Sequence, residues 1–161
     1  MKRVMGLIIM GVMVITPALS APQVAATTRL PWCGVGVLRA TIGAQEGGAG
    51  SVFTTLVFRN VGRVSCVLRG YAGVSLVDGR GRQIGRPARR VPAPAAWIML
   101  RPGATASTVV HTLNPGTGTT DCLPPSAALR VYPPDSYTSL IVRVRLSECL
   151  GSLDIRPLVA G

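Results

Sequence analysis

The fold is decided by residues 51–58, Ser51-Val52-Phe53-Thr54-Thr55-Leu56-Val57-Phe58. Their β-branched and aromatic side chains favour an extended strand. Alternation along the stretch places Val52, Thr54, Leu56 and Phe58 on the same face. A turn at Asn60-Val61-Gly62 follows. The stretch therefore predicts a strand with one apolar face, ended by a turn.

Short extended runs of the same kind continue in both directions, separated by glycine and proline and without sustained helical periodicity. The glycine-rich residues 43–50 are predicted to form a mobile loop outside the core, and residues 97–100 a short buried strand. Parallel strands would need crossover helices, which the sequence lacks. The chain is therefore predicted to be an all-β, antiparallel sandwich. The predicted strands are residues 35–42, 51–58, 64–69, 73–77, 97–100, 104–113, 127–132, 140–146 and 152–155.

The N-terminal residues 1–26 are predicted to be a signal peptide. Lys2 and Arg3 precede an apolar run that reaches Leu19 and is interrupted at Pro17. The run before that proline is shorter than the roughly 20 residues that a membrane-spanning helix needs. A cleaved leader is therefore favoured over a retained anchor.

Cleavage after Ser20 and cleavage after Ala26 both fit the small residues near the end of the leader. The remainder, residues 27–161, has the length of one domain with a single core. Export would place this domain in the cell envelope or outside the cell.

The charge of the chain is strongly basic, with a formal net charge of +11. Removing Lys2 and Arg3 leaves +9, and every remaining positive side chain is arginine. Together with abundant alanine, glycine, proline and valine, this indicates a GC-rich genome. The charge also favours contact with anionic surfaces.

All four cysteines follow the predicted leader, and their spacing contains no Cys-x-x-Cys motif. An exported chain of this kind favours disulfides over a zinc site. Three connectivities are possible. Pairing Cys33 with Cys66 and Cys122 with Cys149 is preferred, because each pair then brackets one strand-loop-strand unit.

Catalytic chemistry is poorly supported by the titratable residues. His111 is the only histidine, and its position in a strand near a turn is typical of a partly exposed surface residue. The six acids are scattered, and no calcium loop, copper ligand set or nucleotide-binding motif is present. We therefore expect no catalytic residue, metal or cofactor.

The candidate binding residues are five arginines within eleven positions, whose guanidinium groups suit phosphate or carboxylate groups. They predict binding of an anionic envelope component, against the alternative of a solvated loop. Nucleic acid is disfavoured, because no aromatic residues are interleaved for stacking. The five are Arg80, Arg82, Arg86, Arg89 and Arg90.

The aromatic side chains, Trp32 and Trp97 among them, are expected to lie in the core or on a sheet face. An exposed Trp97 or Tyr137 would be a candidate contact residue.

One segment carries a family resemblance. Asn60-Val61-Gly62 is followed by Cys66-Val67-Leu68-Arg69-Gly70-Tyr71-Ala72-Gly73-Val74, and later by Leu100-Arg101-Pro102-Gly103 and Leu129-Arg130-Val131-Tyr132-Pro133-Pro134. This pattern resembles the actinobacterial exported proteins grouped as the DUF4232 domain, with a departure at Ala72, where a proline is common. The resemblance implies an immunoglobulin-like, Greek-key β-sandwich on a secreted or envelope-attached protein. It implies no established activity, so no functional residue is carried over.

The favoured function is a non-catalytic binding or interaction module, monomeric or weakly associating, whose partner would be an anionic envelope component or another exported protein. The alternative is a small-ligand or lipid carrier, which would show an apolar cavity between its sheets. A third reading, an unusual hydrolase, requires His111 in a cleft beside an acid.

Overall fold

The structure, a computed structural model, describes residues 29–115 and 121–161. The predicted signal peptide, residues 1–26, lies outside the described residues. Within them the chain is all-β, with twelve strands and no helix. The strands are β1 (Leu38–Gly48), β2 (Ser51–Asn60), β3 (Cys66–Arg69), β4 (Gly73–Val77), β5 (Gln83–Ile84), β6 (Arg89–Arg90), β7 (Trp97–Leu100), β8 (Thr105–Leu113), β9 (Ala128–Tyr132), β10 (Leu140–Arg143), β11 (Leu153–Ile155) and β12 (Val159–Ala160).

In the described part of the chain, no helix has the length and apolar character needed to cross a membrane.

The largest sheet has six strands in the order β1-β2-β8-β11-β6, and β12 also pairs with β8. Its centre is the long antiparallel pair of β2 and β8, which begins with Ser51 opposite Leu113. The alternation predicted for β2 is confirmed, because Thr54, Leu56 and Phe58 are all fully buried. The opposite face of this sheet is only partly covered.

Two smaller sheets complete the fold. One has four strands in the order β10-β9-β4-β5, and the other pairs β3 with β7. The segment before β1 extends the β3–β7 sheet: Trp32 forms a parallel bridge with Val67, and the Val67 N–H donates to the Pro31 carbonyl at 2.9 Å. The first residues that the structure describes are therefore fixed against β3.

Side chains from all three sheets meet in one hydrophobic core. Cys33 is bonded to Cys66 and Cys122 to Cys149, which is the pairing that the spacing favoured. The Cys33–Cys66 bridge is part of the core and connects the segment before β1 to the start of β3. The largest fully buried side chains include Leu56, Phe58, Leu68, Leu76, Leu100, Leu129 and Val131.

The prediction of a mobile loop over residues 43–50 is wrong. β1 continues through Gly48, and a two-residue turn at Ala49 and Gly50, both with positive φ, leads directly into β2. Strand pairing uses backbone groups only, so residues that contribute nothing to the core can still pair. An irregularity in the register between Ile42 and Gln45 accommodates the glycine-rich part.

The prediction of a purely antiparallel fold also fails at one place. The short strands β6 and β11 pair in parallel, with Asp154 opposite Arg89 and Ile155 opposite Arg90. The two strands are far apart in sequence and are not joined by a direct crossover, so no crossover helix is required. The span of residues 80–90 thus contains two short strands rather than loop alone.

Candidate functional site

The five arginines predicted to bind anions do not form one group of free cations. Arg80 and Arg82 lie in and near the turn between β4 and β5, where Asp78 accepts the backbone N–H groups of both at 2.9 Å. The Arg82 side chain also donates to this carboxylate at 2.9 Å. These hydrogen bonds, the Arg82 backbone N–H foremost, hold the pKa of Asp78 below its ordinary value.

Arg89 and Arg90 lie instead in β6, at the edge of the six-stranded sheet. Arg89 donates from Nε to Asp154 at 2.8 Å, and the Arg90 guanidinium lies 5.6 Å from the centre of the Tyr71 ring. Arg86 is exposed. Because the structure divides this set between two sheets and balances part of its charge, anion binding by the five arginines stays a prediction.

A row of polar side chains crosses the outer face of the six-stranded sheet. His111 of β8 lies between Phe53 of β2 and Asp154 of β11 in the strand register. Its Nε2 is 3.1 Å from Ser51 Oγ, and its Nδ1 is 3.5 Å from Asp154 Oδ2. The Phe53 ring stacks on the imidazole with centroids 4.8 Å apart. The row therefore combines a serine, a histidine and an acid.

These three residue types are those of a serine hydrolase, but their surroundings favour a structural role. Arg89 Nε donates to Asp154 at 2.8 Å, whereas His111 Nδ1 lies 3.5 Å from the same carboxylate, so the charge of Asp154 is balanced mainly by the arginine. The members of the row are direct or diagonal neighbours on adjacent strands, and such neighbours contact one another in any sheet of this register. His111 is partly exposed, as its sequence position indicated.

An open, mostly apolar cleft of about 560 Å³ adjoins this row. It runs over the outer face of the large sheet, between the segment after β6 and the C-terminal strand. Its lining includes Val91, Pro94, Val109, Arg156 and Val159. The cleft is a surface feature, separate from the core between the sheets.

Among the described residues, no three His, Cys, Asp or Glu side chains lie close enough together to hold a metal ion.

Glu148 is a buried acid that the sequence did not single out. The residue is 4% exposed, and Oε2 has no hydrogen-bond partner among the described residues. Its carboxylate packs against Gly85, where an added Cβ would lie 2.6 Å from Oε2. Burial raises the pKa of Glu148, because removal from water penalises the charged form.

Replacing Glu148 by glutamine is expected to stabilise the protein at neutral pH by about 1–2 kcal/mol, since an unpaired buried charge is removed. A raised pKa in the folded state means that protonation stabilises the wild type as the pH falls. The difference in unfolding free energy between the two proteins should therefore shrink toward acidic pH. Urea unfolding of both proteins across a pH series measures this difference. Glu46→Gln, at an exposed position, is the control, and a constant difference at all pH values would contradict the prediction.

The third surface of interest is an exposed apolar face of the β3–β7 sheet. Leu68, Ile98 and Leu100 point into the core, so the alternate residues of both strands point outward. Trp97 is 59% exposed and Met99 is 50% exposed. The prediction of a buried strand over residues 97–100 is therefore wrong for these two, because no other sheet packs against this side within the described structure.

Trp32 completes this face from the segment before β1. Its ring lies 5.2 Å from the Trp97 ring, centroid to centroid. Val64 is 66% exposed and lines a shallow depression with Trp32. The Arg69 guanidinium lies 5.2 Å from the centre of the Trp97 ring. We call the set of Trp32, Val64, Val67, Trp97 and Met99 the tryptophan patch.

Comparison with known proteins identifies the family. Residues 33–158 match the family described as Domain of unknown function (DUF4232). The chain belongs to the DUF4232 family. No curated protein and no solved structure matches it.

In this DUF4232 protein, the residues that carry the family resemblance have structural roles. Asn60 is fully buried and donates from Nδ2 to the carbonyls of Val64 and Leu100, both at 2.9 Å. A Cβ on Gly62 would lie 2.9 Å from Val37 Cγ1. Gly70 has φ of 92°, a conformation that favours glycine. These residues therefore stabilise the fold and do not locate a binding site.

Proposed function

We propose that this protein is an exported, non-catalytic binding module of the cell envelope, and that the tryptophan patch is its binding surface. Two disulfides are consistent with an extracellular or envelope location, as is the N-terminal sequence with Lys2, Arg3 and the apolar run to Leu19. The resemblance to actinobacterial exported proteins supports the same location.

For the fold, we propose an immunoglobulin-like, Greek-key sandwich in which the six-stranded sheet forms one layer. Support comes from the single core that all sheets share. In a sandwich, inward residues from facing sheets interdigitate. Such a scaffold presents rigid surfaces to partners.

The observation that carries the binding function is the contrast between a filled interior and an exposed aromatic face. Phe58, Leu76 and Leu129 are fully buried where a carrier would need space for its cargo. Trp97 is more than half exposed, although a tryptophan side chain gains much from burial. Exposed apolar groups that lie together mark sites of interaction. This contrast favours a module over a ligand carrier.

Hydrolysis is the second candidate function, because His111 does lie in a cleft beside Asp154 and within hydrogen-bond distance of Ser51. A fluorophosphonate probe tests it directly, since such a probe labels only an activated serine. The binding proposal expects no labelling of Ser51. Labelling that is lost in Ser51→Ala and kept in Ser107→Ala would establish a hydrolase instead.

The binding function is tested by adding the purified, exported protein back to washed cell envelopes. We expect the wild type to sediment with the envelopes, and Trp97→Thr/Met99→Thr to lose most of this binding. The control, Ile141→Thr/Leu150→Asn, removes two other exposed apolar side chains. Equal sedimentation of all three proteins would reject the patch as the binding surface. Native mass spectrometry that finds a lipid or small ligand bound equally by the wild type and by Trp97→Thr/Met99→Thr would favour the carrier.

A further inference from the structure

We infer that the tryptophan patch docks the protein on a lipid bilayer whose headgroups carry negative charge. The inference rests on the binding function proposed above and names the partner of that surface. Three features of the described residues support it: the chemistry of the exposed side chains, the charges around them, and the place at which the chain enters the fold.

The side chains of the patch suit the boundary between water and lipid. Trp32 and Trp97 each carry a large apolar ring with one polar N–H group, and tryptophan is enriched at membrane interfaces for this reason. Met99 and Val64 add flexible and branched apolar groups, each at least half exposed. Together they offer apolar area that can enter the headgroup region without a matching pocket in a partner protein.

The charged residues in the segments that build the patch all have one sign. Arg63 precedes Val64 in the chain, and Arg101 follows the strand that carries Met99. Arg69 lies over Trp97, so its cation is held directly at the aromatic surface. The three segments that build the patch, residues 29–37, 61–69 and 97–101, contain no Asp or Glu. A surface of this kind is complementary to anionic lipid headgroups.

The arginines in the patch segments differ from the five arginines between positions 80 and 90 in how their charge is balanced. There, Asp78 balances Arg82, and Asp154 balances Arg89. The cations beside the patch have no acid in their own segments, and they adjoin apolar side chains that can insert. Apolar insertion and electrostatic attraction to the same bilayer reinforce each other, whereas either is weak alone.

The chain enters the described structure at the patch. Arg29 and Leu30 are exposed and immediately precede Pro31 and Trp32, which are fixed against β3. The sequence before them contains the apolar run that reaches Leu19. During export that run is the part of the chain that contacts the membrane, and Trp32 is the first residue of the patch to follow it in the sequence. The Cys33–Cys66 disulfide beneath Trp32 keeps this face in place.

The test uses the purified, exported protein and vesicles of phosphatidylcholine with or without phosphatidylglycerol. Trp32 and Trp97 are the only two tryptophans of the chain, so tryptophan emission, excited selectively over that of tyrosine, reports on the patch alone. We expect a blue shift of the emission with the anionic vesicles, quenching by brominated lipid, and loss of both in high salt. An unchanged emission with anionic vesicles would overturn the inference.

Two double variants test whether the apolar side chains of the patch bind the vesicles. Trp97→Thr/Met99→Thr should lower vesicle co-sedimentation about tenfold or more, whereas the control Ile141→Thr/Leu150→Asn should bind as the wild type does. A loss of binding in both double variants, with cooperative urea unfolding showing that both are folded, would overturn the assignment of docking to the patch.

A second comparison addresses the cations. Arg63→Gln/Arg101→Gln should weaken binding to anionic vesicles and flatten its salt dependence, while Arg80→Gln/Arg86→Gln should do neither. If only the second pair weakens binding, the anionic lipid site lies between positions 80 and 90 and the inference is wrong. If no vesicle binds but sedimentation with envelopes still depends on Trp97 and Met99, the binding function stands and its partner is not lipid.

Discussion

Removing the Cys33–Cys66 disulfide is expected to lower the free energy of unfolding by about 3–4 kcal/mol, the largest effect of any change considered. The bridge closes a loop with a sequence separation of 33 residues, which restricts the unfolded chain. Cys33 and Cys66 are also part of the hydrophobic core, so their replacement by alanine leaves unfilled space there. The double variant Cys33→Ala/Cys66→Ala tests this.

The second disulfide provides a matched comparison. Cys122 and Cys149 are separated by 27 residues, so the restriction of the unfolded chain is similar. Cys122 is partly exposed, and the pair lies outside the main core cluster. Cys122→Ala/Cys149→Ala should therefore destabilise the protein less than the first double variant.

Urea unfolding of both variants under identical conditions measures the difference. Loss of the first bridge should also weaken vesicle binding, because Trp32 is no longer fixed beside β3. If the second double variant proves to be the less stable, the core contribution that we assign to Cys33 and Cys66 is wrong.

Replacing Asn60 by alanine is expected to cost about 2–4 kcal/mol. The side chain is fully buried, donates to the carbonyls of Val64 and Leu100, and accepts the Gly62 N–H at 2.9 Å. It therefore connects the end of β2 with the end of β7. Alanine would leave two carbonyls and one N–H without this partner, and buried groups in that state are costly. Thermal unfolding and urea unfolding measure the loss.

The variant Asn60→Asp distinguishes the two hydrogen bonds that the Asn60 side chain donates from the one that it accepts. Aspartate keeps the acceptor for Gly62 but loses both donors and places a carboxylate near the carbonyls of Val64 and Leu100. The aspartate should destabilise the protein at least as much as alanine does at neutral pH. Part of the lost stability should return on acidification, when the protonated carboxyl can donate one hydrogen bond. An aspartate variant as stable as the wild type would show that the two donated bonds contribute little.

Much of the strand content could be predicted because strand signals are local. The alternation of Leu56 and Phe58 shows directly which face is apolar. Turn residues mark the ends, as Asn60-Val61-Gly62 does after β2. The glycine-rich end of β1 was missed because its pairing depends on backbone groups, which leave no side-chain signal.

The candidate sites were harder to predict from the sequence than the strands. The arginines between positions 80 and 90 resemble one basic loop, yet Arg89 pairs with Asp154, which lies 65 residues away. Ser51 and His111 are 60 residues apart, so no spacing rule connects them. A count of charges along the chain does not reveal which of them are balanced in the folded protein.

The all-β class and the positions of most strands could be predicted from the amino-acid sequence, because alternation and turn residues act over a few positions. The sequence also favoured the observed disulfide pairing among three possible ones, through the spacing of the cysteines. The exposure of Trp97 and Met99, in contrast to the burial of Ile98 and Leu100, could be known only from the folded structure. An apolar strand is equally compatible with burial on one face or two. What covers each face depends on elements distant in sequence, and beside β7 the described residues leave one face open to solvent.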